Sequence, residues 1–266
     1  MAIELIIAFV LLGIIVGVMA GLLGIGGGAI MVPVMASIFI QQGIPKENVV
    51  HLALGTSMAC IILTSFSSMR SHHQHGAVNW SLVKRMAVGM VIGTFSATFL
   101  TAYLSSKALA IFFAMFMTYV SLQMFRHNKI QAGSGDIQHT ELRLVTLGIG
   151  AISALVSIGG GSLTVPYLTW RGINIRNAIA TSAALGFFIA IAGTLGYLIN
   201  GQLNTITTEY TWGYIYIPAV LLVSIPSYFT APLGAKLTQK LPIQTLKKIF
   251  GVLLLLLSLK MLASFI

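Results

Sequence analysis

Gly24-Ile25-Gly26-Gly27-Gly28-Ala29-Ile30-Met31-Val32-Pro33 and Ser157-Ile158-Gly159-Gly160-Gly161-Ser162-Leu163-Thr164-Val165-Pro166 are two versions of one stretch, 133 positions apart. Each reads Ile-Gly-Gly-Gly, then four residues, then proline, inside a long uncharged run. A glycine in a helix interior costs about 1 kcal/mol against alanine. Three in a row, at matching places, point to use of the backbone rather than of side chains.

Of 266 residues, 57% are hydrophobic and 8% charged, against roughly 25% charged in soluble domains. Such a chain is a polytopic membrane protein. On a soluble protein a net charge of +10 would suggest nucleic acid. Here the charges punctuate apolar spans, and no nucleic-acid motif accompanies them. Met1-Ala2-Ile3-Glu4-Leu5 lacks the basic start of a secretory signal, so the first apolar run is expected to stay as a membrane segment. Cys60 is the one cysteine, which excludes an internal disulfide.

Leu5 to Pro45 is free of charge over 41 positions, about 60 Å of helix or two passes of a core about 30 Å thick. The glycines fall at its middle. Either two helices meet there or a hairpin dips and returns, and 28–40 is short enough for a half-helix. Further segments are expected at 50–69, 80–104, 108–125, 144–170, 178–199, 210–235 and 249–266. Between halves, 126–141 has soluble character and holds Gly133-Ser134-Gly135-Asp136. Beyond the triplets, Gly55-Thr56-Ser57 matches Ala180-Thr181-Ser182, and a glycine follows each threonine by 20 residues, Gly76 and Gly201. Ser121-Leu122-Gln123-Met124-Phe125 likewise matches Ser258-Leu259-Lys260-Met261-Leu262. Duplication predicts a first transmembrane repeat over 1–130, a linker at 131–141 and a second repeat over 142–266.

The loop charges orient the halves. Loop 70–85 has Arg70, Lys84 and Arg85, while its counterpart 200–211 has no Lys or Arg. Loop 171–177 has Arg171 and Arg176; its counterpart 41–48 has Lys46 balanced by Glu47. Loop 236–248 has Lys236, Lys240, Lys247 and Lys248, against Lys107 alone at 104–107. The bias changes sides at every pair, so equivalent loops face opposite compartments. The expected fold is an all-α polytopic membrane protein of two inverted repeats, with about five helical segments in each and roughly eight to ten transmembrane pieces, glycine-broken half-helices included. Basic loops 70–85, 126–143, 171–177 and 236–248 are then cytoplasmic and both termini lie outside. Trp80 and Trp212 each open a segment and Trp170 closes one, as an aromatic belt would place them.

A glycine break before a short helix leaves free backbone N–H groups and a partial positive charge. At membrane depth, irregular backbone is tolerated only where it is buried or lines a wet cavity. Gly26, Gly27, Gly28, Gly159, Gly160, Gly161 and Ser162 are therefore the expected anion cradle. Pro33 and Pro166 are read as structural helix-break residues, each in a first helical turn. Thr56, Ser57, Thr181 and Ser182 add hydroxyl donors, the bland alternative being a back-bond to a carbonyl one turn earlier. No carboxylate stands within a span, which argues against a proton relay. No nucleophile–base pair or paired carboxylates occur, so no enzymatic role and no cofactor are expected. His72-His73-Gln74-His75 reads as a solvated basic loop. The alternative makes these histidines and His51 the ligands of a metal-cation permease. A third reading is a membrane accessory subunit that transports nothing.

The set Gly21-Leu22-Leu23-Gly24-Ile25-Gly26-Gly27-Gly28, Pro33 and Gly55-Thr56-Ser57 resembles the TauE/SafE family of sulfite and organosulfonate exporters. Ile158-Gly159-Gly160-Gly161, Pro166 and Ala180-Thr181-Ser182 repeat the pattern, and Lys247-Lys248-Ile249-Phe250 extends the likeness into the final helix. The resemblance implies a permease of the bacterial inner membrane for small sulfur-containing anions such as sulfite, sulfoacetate or sulfolactate. Its expected partners are the lipid bilayer and that anion. A homo-oligomer is left open.

Overall fold

Glycine stops two helices in mid-course, and the longest helices of the chain cross beside the stops. The computed structural model describes residues 3–125, 139–203, 209–240 and 243–265. In the first half α1 (Ile3–Leu23) breaks before α2 (Gly28–Gln41), and α3 (Lys46–Gln74), α4 (Trp80–Ala102) and α5 (Ser106–Phe125) follow. In the second, α6 (His139–Val156) breaks before α7 (Gly161–Trp170), and α8 (Ile175–Leu203) follows. A short ribbon, β1 (Thr211–Trp212) and β2 (Ile215–Tyr216), then leads into α9 (Ile217–Lys240) and α10 (Ile243–Phe265). Among the described residues six helices are long and apolar enough to cross a membrane: α1, α3, α4, α5, α8 and α9. At 14 and 10 residues, α2 and α7 reach about 21 and 15 Å and are half-helices. The chain is an all-α polytopic membrane protein. Most of the linker expected at 131–141 lies outside the described residues, as does most of loop 126–143.

α3 and α8, 29 residues each, run antiparallel through the centre. Gly55 lies against Tyr197, Met58 against Gly193 and Phe66 against Phe187. α5 and α10 are antiparallel too, with Thr118 beside Ser258 and the Ser121 hydroxyl donating to the Gly251 carbonyl. Corresponding helices of the two halves thus point in opposite directions, as inverted repeats require. The halves also exchange partners: α1 packs along α9, and α4 along α6. Small residues line both seams. A Cβ at Gly13, Gly17 or Gly21 would strike the α9 backbone, and one at Gly93 or Gly150 the facing backbone of α6 or α4. In lipid, where apolar burial drives little, such close approach supplies the van der Waals attraction that holds helices together.

Several expectations need correction. The stretch 236–248 is helical through Lys240 and again from Ile243, not a loop. The stretch 70–74 is not loop: α3 continues through Gln74, because no residue breaks it before Gly76 (φ 67°). Ser71 and His72 are buried there, between exposed Arg70 and exposed His73. Nor does a helix begin at Tyr210. Thr211-Trp212-Gly213-Tyr214-Ile215-Tyr216, β-branched and aromatic around a glycine at φ 57°, folds as the ribbon. Trp212 therefore sits in β1, while Trp80 opens α4 and Trp170 closes α7 as expected.

Candidate functional site

The two glycine breaks touch. A Cβ on Gly26 would lie 3.1 Å from both the Cα and the N of Gly159, and the Gly159 N–H donates to the Ile25 carbonyl at 3.2 Å. The contact is nearly symmetric. Gly28 abuts the Ser157 carbonyl and Gly161 abuts the Gly24 carbonyl, so each half-helix begins against the residue two positions before the other triplet. Ile61 covers Gly26 and Gly28, and Gly186 lies against Gly159. Both residues stand near the middle of the long helices α3 and α8, so the crossing lies midway along the bundle. An ion pair joins Glu141 on α6 to Arg171 just past α7. The α6–α7 segment is therefore a hairpin that dips and returns.

Gly27 and Gly160 are the N-caps of α2 and α7, both left-handed at φ 82° and 75°. No side chain caps either helix. Among the described residues the N–H groups of Gly26, Gly27, Gly28 and Ala29 find no acceptor, and neither do those of Gly161 and Ser162. Two helix N-termini of opposite direction thus meet with donors unspent and partial positive charges adjacent. Gly159 is the exception, since Ile25 takes its N–H. Pro33 and Pro166 are not in a first turn; each is the sixth residue of its half-helix. There a proline removes the donor that would serve the carbonyl four residues back, Ala29 or Ser162.

The four expected hydroxyls divide. Thr56 Oγ1 accepts the Tyr216 N–H at 2.9 Å, and Thr181 Oγ1 accepts the Asn79 N–H at 3.1 Å. Each threonine therefore latches the chain that enters the fourth helix of the other half. Ser182 Oγ donates to the Gly24 carbonyl at 2.9 Å. Ser57 Oγ has no partner among the described residues although the residue is wholly buried. It lies one turn from Ile61, on the α3 face turned to the triplets. None of the four back-bonds to its own helix, as Thr64 and Ser153 do.

Sequence reasoning missed Thr164 and Ser157. Thr164 Oγ1 is buried, without a partner among the described residues, and 3.3 Å from where a Cβ on Gly160 would be. Its position within the second quoted stretch was the available signal. Ser157 holds a left-handed backbone, φ 48°, where the first half has Gly24, and its hydroxyl donates to the Leu54 carbonyl at 2.9 Å. The histidines of the metal alternative are not brought together. His51 and His72 stand 21 residues apart on one helix, about 30 Å. His51 uses both ring nitrogens, on the Thr101 carbonyl at 3.0 Å and on Ser106 Oγ at 3.3 Å, and stacks on Tyr214. Exposed His73 accepts from the Trp80 indole N–H, and His75 bonds the Ser71 carbonyl. No group of three metal-ligating side chains occurs among the described residues.

Comparison with known proteins places these features in a family. The model of the family described as "Sulfite exporter TauE/SafE" matches residues 9–261. A probable membrane transporter protein of Haemophilus influenzae is 36% identical over 252 residues, covering 94% of this chain and 96% of its own. Similar proteins bearing the same description occur in Methanocaldococcus jannaschii, 29% identical over 87% of this chain and 86% of the relative, and in Bacillus subtilis, 26% identical over 94% of each. No solved structure matches the chain.

Proposed function

The chain belongs to the sulfite exporter TauE/SafE family of membrane transporters, and on that premise we propose that it exports small sulfur-containing anions, such as sulfite or organosulfonates, across the bacterial inner membrane. The anion is bound where α2 and α7 begin. One observation carries this reading: six backbone N–H groups, four from one half and two from the other, lack acceptors among the described residues where the opposed N-termini meet. Such groups, with the helix dipoles behind them, hold oxyanions without a basic side chain. Ser57 and Thr164, buried and unpartnered beside the breaks, add hydroxyl donors. An unsatisfied buried hydroxyl costs about 1–3 kcal/mol, a cost that a bound anion relieves.

In this proposal residues 1–130 and 142–266 are inverted repeats, the basic stretches 70–85, 171–177 and 236–248, largely helix ends, face the cytoplasm, and both termini lie outside. Basic loops gather anions at the inner mouth. An interior-negative potential then favours exit by about 2.3 kcal/mol per charge per 100 mV. The test is flux of labelled sulfite, sulfonates, sulfate and carboxylates in proteoliposomes of the purified chain, with and without an imposed potential. Potential-driven flux of sulfite or a sulfonate is expected. Background flux for every anion would favour the accessory-subunit reading, and flux of a divalent metal in its place would favour the cation permease.

A further inference from the structure

His72 and Tyr197 occupy equivalent places at opposite ends of the bundle. His72 Nε2 lies 3.0 Å from the Gly21 carbonyl on α1, and Tyr197 Oη donates to the Ala154 carbonyl on α6 at 2.9 Å. Gly21 and Ala154 hold the same position in the two repeats. A carbonyl only accepts, so His72 Nε2 carries the hydrogen, and in the neutral ring Nδ1 presents a lone pair. One structural bond, between the far end of α3 or α8 and the dipping helix, is therefore made twice. Tyrosine makes it with nothing left over. Histidine leaves Nδ1 buried and without a partner among the described residues.

One turn back on the same face of α3, Ser68 Oγ is also buried and unpartnered. The equivalent residue of α8 is Gly193. Ser71 and Ser65 likewise face Gly196 and Ala190 in the repeat comparison. One turn further back Thr64 bonds Ser227, and beside it Ser67 donates to the Tyr228 carbonyl, so those polar atoms are spent on α9 while Ser68 and His72 Nδ1 are not. Packing does not require the extra polar atoms at 68 and 72, since the other half builds the same contact without them. They lie about 16 and 22 Å along α3 from Ser57, toward the end of the bundle where Arg70 precedes the turn and Lys84 and Arg85 follow it in the first turns of α4.

We propose that Ser68 and His72 form a second oxyanion station, between the basic loops and the glycine crossing, that takes a sulfur oxyanion still carrying a proton. Ser68 Oγ–H donates to an anionic oxygen, and His72 Nδ1 accepts the hydrogen of an S–O–H group. Hydrogen sulfite offers both. A sulfonate, fully deprotonated, has no hydrogen to give and gains nothing from Nδ1. The station exists in the first half alone, so the two mouths of the transporter are chemically different.

This rests on the proposed function, and one experiment separates the two. Flux of labelled sulfite and of methanesulfonate is measured in proteoliposomes of the wild type, His72→Tyr and Ser68→Ala, at matched amounts of folded protein judged by melting. His72→Tyr imports the chemistry of Tyr197, keeps the bond to Gly21 and removes Nδ1. The expected result is about a tenfold loss of sulfite flux in each variant, the size of one hydrogen bond to an anion, with any methanesulfonate flux unchanged in His72→Tyr. Should His72→Tyr fold poorly, Ser68→Ala alone decides. Wild-type sulfite flux in the folded variants, or equal losses for both anions in His72→Tyr, overturns the station and leaves the transport function standing. A wild type that carries methanesulfonate alone also overturns the station, and one that carries neither anion overturns both.

Discussion

Gly27 and Gly160 are glycines because the backbone is left-handed there, and Gly28 and Gly161 because a carbonyl of the other half lies where a Cβ would stand. Neither requirement involves a ligand. Gly27→Ala and Gly160→Ala are each expected to lose roughly 1–2 kcal/mol from the left-handed backbone alone, read as a lowered melting temperature. Gly28→Ala and Gly161→Ala, which collide with backbone, should fail to accumulate folded protein. Substituting these glycines therefore tests the fold. Binding is tested at hydroxyls the fold does not use. Ser57→Ala removes an unpartnered buried group, so it should leave melting unchanged or raise it slightly. The same change should lower anion flux about five- to tenfold. Equal losses of melting temperature and flux would mark Ser57 as a packing residue.

At the scale of the element, the ribbon 211–216 closes the end of the bundle opposite His72. Tyr214 stacks on His51 with ring centroids 5.1 Å apart, and its N–H donates to the Tyr197 carbonyl at 3.3 Å. Gly55 and Gly201 give its backbone room. Thr56→Val would strand the Tyr216 N–H, at a cost of about 1–3 kcal/mol. A melting temperature equal to wild type would show that the latch does not matter. The half-helix α2 was legible from glycine and charge alone, and so were the two breaks and the inverted order. The ribbon was not. Each strand is two residues long, and what holds it is Thr56 and Tyr197, far off in sequence. His72 escaped for a similar reason. Arg70, His73 and His75 around it read as solvated loop, while its burial comes from the end of α1, 51 residues away. Of the site, the triplets were visible as a repeat. The division of labour among Thr56, Ser57, Thr181 and Ser182 depends on which loop reaches which helix, and local sequence does not carry that.

Across the whole molecule, the proposed orientation rests on where the Lys and Arg residues cluster along the chain, while the inversion rests on the antiparallel pairs α3–α8 and α5–α10. The two are independent, so topology can be checked separately from transport. Cys60 is the one cysteine and is buried, and Cys60→Ser supplies a background for single-cysteine labelling. Lys84→Cys should react only with reagent inside the cell, and Lys107→Cys only with reagent outside. Labelling of both from one side would show that α4 does not cross the membrane, against the proposed topology. The central claim, an anion held where α2 and α7 begin, is tested most directly by the initial rate of potential-driven labelled sulfite flux in proteoliposomes of Ser57→Ala/Thr164→Val beside the wild type. An anion held there requires saturable wild-type flux and at least a tenfold lower rate in a double variant that melts at or above the wild-type temperature. A double variant as fast as the wild type would contradict it.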